Sequence, residues 1–313
     1  MRDPFIICIV GPTASGKSAL ALDLAEHFHT EIVSADSVQV YRGMDIGSAK
    51  PTKDEQSRVR HHMIDCVDIS DGAFSVAKFK QMAFPVLDTL LSEGKCPVVV
   101  GGSGLYISAV VDPLGFAVPS DPKVRERIRR EYEDDPVNCY ARFRELDPVL
   151  AERIHENDAK RIVRALEVYE ISGKPLSAFG NDFRNTAENE PPYPSVQIGL
   201  KTAREDLYKR IEDRVDKMIG EGLIDEARAI YGQYRDSSLP ALQALGYRQL
   251  FRYFDGAISL PEAIDQIKKE TRHFAKRQMT WFTHDGRIVW FDLHDPDLLE
   301  KSIDLINSKL EEP

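Results

Sequence analysis

A chain of 313 residues with 42% hydrophobic and 29% charged side chains can bury a sizeable core, and its composition excludes a disordered or fibrous protein. No run approaches the roughly 20 apolar residues that a membrane-spanning helix needs. A net charge of -10 excludes a surface that attracts nucleic acid indiscriminately, so contact with a polyanion would have to come from local basic patches.

Met1–Pro4 leads straight into Phe5–Val10 (FIICIV), an unbroken apolar run that predicts a buried parallel strand. That segment lacks the length and cleavage site of a secretory signal, so a cytoplasmic protein is expected. Lys17–Phe28 carries Leu20, Leu24 and Phe28 at helical spacing, and Glu31–Ser34 is a second short strand. Ser75–Ser92 places Phe79, Met82, Val86, Leu87, Leu90 and Leu91 on one helical face, with Gly94 as the stop. Pro97–Val100 is a third buried strand, and it runs into Gly101-Gly102-Ser103-Gly104 and a further helix. This alternation predicts an α/β fold: a P-loop NTPase-like parallel sheet with helices on both faces.

The rhythm changes after Pro119. Asp121 to Ser177 reads as helices with no strand signal, and the polar stretch Gly180–Pro194 suits a linker. Ser195–Leu200 is strand-like, Arg204–Tyr234 is one long helical region, and Arg287–Leu293 alternates as a late strand. The predicted organisation is a core in two parts, residues 1–119 and 191–313, split by an all-helical insertion at 120–190. Cys8, Cys66, Cys96 and Cys139 lie far apart with no C-x-x-C spacing, so neither a disulfide framework nor a structural zinc site is expected. His61 and His62, adjacent on a strand, would point to opposite faces and serve structure, not a shared ion.

The chemistry starts at Gly11, Pro12, Thr13, Ala14, Ser15, Gly16, Lys17 and Ser18, which fit G-x-x-x-x-G-K-[ST] between a strand and an amphipathic helix. Gly11 and Gly16 let the backbone curl so that successive N–H groups point inward, and the helix that follows adds its N-terminal partial charge. Lys17 brings a full positive charge, and the Ser18 hydroxyl is suited to ligate Mg²⁺. An ATPase would usually show a hydrophobic strand ending in Asp, but Pro97–Val100 ends in glycines. Asp36 follows the strand Glu31–Ser34, at the carboxyl end where open α/β sheets bind ligands. Its carboxylate could act as a base, or close an Asx-turn or cap a helix; the residues alone leave both open.

Taken together, these segments resemble the tRNA dimethylallyltransferases (tRNA isopentenyltransferases) of bacterial type. The resemblance rests on GPTASGKS at Gly11–Ser18, SADSVQVYRGMDIGSAKP at Ser34–Pro51, HHMID at His61–Asp65, SVAKF at Ser75–Phe79 and GGSGLY at Gly101–Tyr106. It continues through DAKRIVRALE at Asp158–Glu167, LGYR at Leu245–Arg248 and KRQMTWF at Lys276–Phe282. Ser18 and Ser103 stand where Thr is also common, and both keep the hydroxyl.

The resemblance implies that the cradle, with Mg²⁺, holds the diphosphate of dimethylallyl diphosphate. The acceptor would be N6 of the adenosine immediately 3′ of the anticodon, and pyrophosphate would be released. Asp36 would be the general base, with Ser103 beside the reacting centre and Lys17 on the leaving group. Arg214 would contact the diphosphate; the alternative reading is a surface ion pair with Glu212 or Asp213. The tRNA contacts implied are Asp36, Ser37, Val38 and Gln39 with Ser103, then Lys160, Arg161, Ile162, Val163 and Arg164. They continue at Gln243, Ala244, Leu245, Gly246, Tyr247 and Arg248, and at Lys276, Arg277 and Gln278. The insertion would grip the anticodon stem-loop.

Three basic clusters supply phosphate contacts in this reading. One is Lys123, Arg125, Arg127, Arg129 and Arg130, of which Arg125 is taken as a tRNA contact. The second is Lys160, Arg161 and Arg164. The third runs Lys268 to Arg277, with Lys269, Arg272 and Lys276 on one helical face. Interleaved acidic residues make each also readable as an ordinary charged helix face. Trp281 and Phe282 are expected in the core. A monomer with no membrane partner is expected. The alternatives are a P-loop small-molecule kinase, prenyl transfer to a free adenine nucleotide, and an RNA-binding protein whose nucleotide site is a switch.

Overall fold

In the computed structural model, which describes residues 4–114, 118, 120–179, 190–235 and 239–311, the apolar runs become strands of one parallel sheet. In chain order the first part of the core holds β1 (Ile6–Val10), α1 (Lys17–His27), β2 (Ile32–Ser34), α2 (Lys53–Arg58), β3 (His61–His62), α3 (Val76–Ser92), β4 (Val98–Val100) and α4 (Gly104–Val111). The second part of the chain up to the returning sheet is helical: α5 (Pro122–Asp134), α6 (Pro136–Leu146), α7 (Pro148–Ala151) and α8 (Ala159–Ser172). The core resumes with β5 (Ser195–Lys201), α9 (Arg204–Gly220), α10 (Leu223–Tyr234), α11 (Tyr247–Phe254), α12 (Leu260–Phe282), β6 (Ile288–Asp292) and α13 (Leu298–Glu311).

The strand order is β3-β2-β4-β1-β5-β6, and every pairing is parallel. β1 is apolar throughout because both its faces are covered. Ile6, Cys8 and Val10 pack with Phe79 and Leu87 of α3 and Ile107 of α4. Ile7 and Ile9 pack with Leu20 and Leu24 of α1 and Ile306 of α13 on the opposite face. A third cluster joins Val40–Met44 to α10, α11 and α12 through Leu223, Tyr247 and Ile267.

The chain divides into two compact units, residues 1–111 with 193–313, and residues 112–192. The second unit has its own core of Ile128, Phe143, Ile162 and Leu166. Its helices α5 to α8 each start from an Asp whose carboxylate accepts a backbone N–H of the first turn, at Asp121, Asp135, Asp147 and Asp158.

One expectation changes. Arg204–Tyr234 is two helices, because Gly222 takes a left-handed conformation at φ 104° and turns the chain between α9 and α10. His61 and His62 do lie on a strand, β3, where His61 pairs with Ile32 and His62 with Val33. There the His62 ring shares a 2.6 Å hydrogen bond with Glu31 Oε2, and His61 Nδ1 lies 2.8 Å from the Val59 carbonyl. Most of the expected linker, residues 180–189, lies outside the described residues. At its end Tyr193 is buried and donates to Asp88 Oδ1 at 2.7 Å, and the Pro194 carbonyl accepts from Ile6 N–H at 2.9 Å.

Candidate active site

Because β2, β4 and β1 are neighbours, the loops leaving their carboxyl ends emerge side by side. They carry Asp36, Ser103 and the phosphate loop respectively. The β2 and β4 exits touch: Ala35 N–H donates to the Val100 carbonyl at 2.8 Å, and a Cβ on Gly101 would lie 2.2 Å from the Ala35 oxygen. Only glycine permits that approach.

The phosphate loop has the curl its glycines predict. Gly11 and Gly16 have φ of 139° and 85°, and Ala14 adopts 65° between them. A Cβ on Gly11 would meet the Leu200 carbonyl oxygen at 2.6 Å. Lys17 is buried, and its Nζ donates to the Pro12 carbonyl at 2.5 Å. Ser15 is buried with its hydroxyl unpartnered, an unmet donor inside the cradle that suits an anion. Ser18 is exposed on the first turn of α1, free to meet a cation held mainly by phosphate oxygens. Among the described residues no cluster of three His, Cys, Asp or Glu side chains could hold a metal by itself.

Three charges converge at this edge. Burial, and then the neighbouring Arg214, pull the Lys17 ammonium down to about 7, against the opposing influence of Asp36. Burial likewise lowers Arg214, with Asp36 opposing. Arg214 therefore faces Lys17 and Asp36, and the alternative of a surface ion pair is corrected: Glu212 pairs instead with Arg272, at 2.5 Å. Burial, followed by the nearby Tyr41 and Asp36, raises the Tyr106 phenol, whose hydroxyl donates to the Phe74 carbonyl at 3.0 Å.

The turn read for Asp36 is formed by one oxygen and leaves the other open. Oδ1 accepts from Val38 N–H at 2.8 Å and Gln39 N–H at 3.3 Å, closing a turn. Oδ2 makes no hydrogen bond among the described residues. Ser103 gives its carbonyl to Tyr106 and Ile107 at the start of α4, and its hydroxyl also makes no hydrogen bond there.

Sequence reasoning missed how the loop is held. Arg210, one turn before Arg214 on α9, donates from Nε to the Ala14 carbonyl at 2.9 Å. The i, i+4 spacing of the two arginines was the available signal. Gln278 accepts from Thr13 N–H at 2.8 Å and donates to the Gly102 carbonyl at 2.9 Å.

The residues expected to meet tRNA separate into exposed and interior groups. Ser37, Lys160, Arg161, Gln243, Arg248, Lys276 and Arg277 are exposed. Ile162 and Val163 are core residues of the second unit, and Tyr247 is fully buried with its hydroxyl on Glu226 Oε1 at 2.6 Å. Gly246 is buried, while Val38, Ala244 and Leu245 are half-buried. The side chains of Ile162, Val163 and Tyr247 therefore serve the framework, while the half-buried positions keep part of their surface open. Gln39 uses its amide on Ser34, Ser48 and Ala49.

Of the basic clusters, the first has its arginines tied up locally. Arg125 meets the buried Glu167 through Nε at 3.0 Å and an Nη at 2.7 Å, and Arg164 meets the same carboxylate at 2.8 Å. Arg127, Arg129 and Arg130 pair with Glu131, Glu170, Glu126 and Glu133. Arg161 sits 3.5 Å from Asp158, Arg248 pairs with Glu270, and Lys268 pairs with Asp216. Lys160, Lys269 and Lys276 make no ion pair among the described residues. Phe282 is buried as expected, but Trp281 is 38% exposed, with its ring laid over Gly104.

The family described as IPP transferase matches residues 39–285. The chain is 44% identical over 308 residues to a tRNA dimethylallyltransferase of Symbiobacterium thermophilum, spanning 98% of this chain and 94% of that protein. It is 45% identical over 292 residues to one from Geobacter metallireducens, spanning 92% of each. Among solved structures it is similar to the full-length tRNA isopentenylpyrophosphate transferase of Bacillus halodurans, with a TM-score of 0.72, 38% identity, and 99% and 97% of the two chains covered. It is also similar to a eukaryotic dimethylallyltransferase acting on tRNA, with a TM-score of 0.82, 26% identity, and 98% and 79% covered.

Proposed function

The chain belongs to the IPP transferase family, and from that premise we propose how its site transfers a dimethylallyl group to tRNA. The donor is dimethylallyl diphosphate, with its diphosphate in the loop Gly11–Ser18. The acceptor is N6 of the adenosine 3′ of the anticodon, unstacked to reach the site.

The reading is carried by one juxtaposition: buried Lys17 and half-buried Arg214 converge with a carboxylate that keeps one oxygen open. The two cations and the loop N–H groups stabilise the charge that grows on the diphosphate as the allylic C–O bond breaks. The new bond forms between that carbon and N6. The N6 proton goes to Asp36 Oδ2, with the Ser103 hydroxyl as a hydrogen-bonding neighbour. The Ser18 hydroxyl and the donor's own phosphate oxygens would hold Mg²⁺, which when bound neutralises diphosphate charge. Exposed Lys160, Lys269 and Lys276 would meet backbone phosphates of the anticodon stem-loop.

The test is incubation with Mg²⁺, labelled dimethylallyl diphosphate and either tRNA or AMP. Label on tRNA and not on AMP is expected. Transfer to AMP would change the acceptor class, and phosphoryl transfer from ATP would replace the reading with a kinase.

A further inference from the structure

We propose that Gln278 is a positioning residue for the donor, holding the phosphate loop in register with the Ser103 loop. The proposal rests on the reading of the site given above. Gln278 is interior to α12, while its neighbours Lys276 and Arg277 are exposed. Its amide is taken up at both ends by main chain: Oε1 by Thr13 N–H and Nε2 by the Gly102 carbonyl. Those two groups belong to the exits of β1 and β4, which carry the diphosphate cradle and the serine beside the reacting centre. One side chain therefore sets the separation between leaving group and acceptor.

Two further observations support a built clamp. A Cβ on Gly102 would lie 2.1 Å from Gln278 Nε2, so the glycine is what lets the amide reach the carbonyl. The loop is also gripped on its next residue, where Arg210 holds the Ala14 carbonyl. Thr13 N–H is thereby withdrawn from the anion, and the direction of the remaining N–H groups is set. This gives Gln278 a different role from a tRNA contact, because its polar atoms already have partners inside the protein.

The consequence is kinetic. Misplacement of a reacting group by about 1 Å can cost about a hundredfold in rate. The test compares Gln278→Leu, Gln278→Glu and Gly102→Ala with the wild type. The readouts are kcat, the donor KM, tRNA affinity by filter binding and the melting curve. Gln278→Leu is expected to lower kcat about tenfold to a hundredfold and raise the donor KM, with tRNA affinity within about twofold of wild type. Gln278→Glu, which keeps the acceptor for Thr13 N–H, should fall between. Gly102→Ala should reproduce the leucine phenotype by displacing the amide from the other side, and the double variant should be no worse than either single one.

Wild-type donor kinetics in Gln278→Leu, a loss confined to tRNA affinity, or additive losses in the double variant would overturn the proposal. Should Gln278→Leu melt without cooperativity, Gly102→Ala and Gln278→Glu carry the same comparison. A wild-type protein that transfers no dimethylallyl group counts against the function instead. The clamp is then judged by calorimetric pyrophosphate affinity, weaker in the variants if it exists and unchanged if it does not.

Discussion

In the proposed reaction Asp36 divides its carboxylate between architecture and chemistry. Replacing it with alanine removes the open Oδ2 and also the turn that Oδ1 closes on Val38 and Gln39. Asp36→Asn keeps an oxygen for the turn and removes the base. Both variants are expected to lose at least about a hundredfold in turnover with donor affinity largely kept. Single-turnover chemistry at the wild-type rate in Asp36→Asn would remove the base assignment.

Lys17 makes a second prediction. Unliganded, it titrates near 7 because of burial and Arg214, whereas a bound diphosphate favours its charged form. Below pH 7 it is already protonated. Above pH 7 binding must take up a proton, so donor affinity falls as pH rises. Pyrophosphate calorimetry in buffers of different ionisation enthalpy should show that uptake between about pH 7 and 9 and should lose this component in Lys17→Met. Equal proton uptake in the two proteins would contradict it.

At the scale of elements, α9, α10 and α12 hold the loops from which the site is made. α9 supplies Arg210 and Arg214, and α12 supplies Gln278. α10 supplies Glu226, whose carboxylate accepts the N–H groups of Asp45, Ile46 and Gly47, at 2.8 to 3.0 Å, and the Tyr247 hydroxyl. Burial, with Glu226 next, raises the Tyr247 phenol, so it remains a donor to that carboxylate. Its ring packs where a Cβ on Gly47 would lie 2.6 Å away. Glu226→Ala leaves three N–H groups and a buried phenol without their acceptor. It is expected to cost about 2–3 kcal/mol, read as a lower urea midpoint at unchanged slope. A midpoint within error of wild type would show that water replaces the carboxylate.

At the scale of the whole molecule, a chain of net charge -10 must bind a polyanion through a few unneutralised cations. Since most arginines of α5 already pair with glutamates, charge alone overstates the basic surface. Affinity for an anticodon stem-loop should fall steeply with salt, and Lys276→Ala should reduce the slope of log K against log salt by about 1. Arg129→Ala should leave that slope unchanged, because its charge is already answered by Glu126 and Glu133. Equal changes in both variants would mean that these surface pairs open when RNA binds.

Local chemistry made much of this legible in the sequence. A strand followed by G-x-x-x-x-G-K-S and a doubly buried β1 depend on residues close in the chain, and each was readable there. Asp36 lies at the exit of β2 as its sequence position implied, but with two readings, since an Asx-turn and a base demand the same carboxylate. What sequence could not supply was partnership across long separations. Gln278 reaches Thr13 and Gly102 from 265 and 176 positions away. Arg214 belongs to the site and Arg125 to Glu167 because packing sets which charges meet, and an arginine's side chain alone does not reveal its partner. The reading of Asp121 to Ser177 as helices likewise covered Ile162 and Val163, but only the packed structure decided that these two positions face inward, where burial leaves little of their side chains open to any partner.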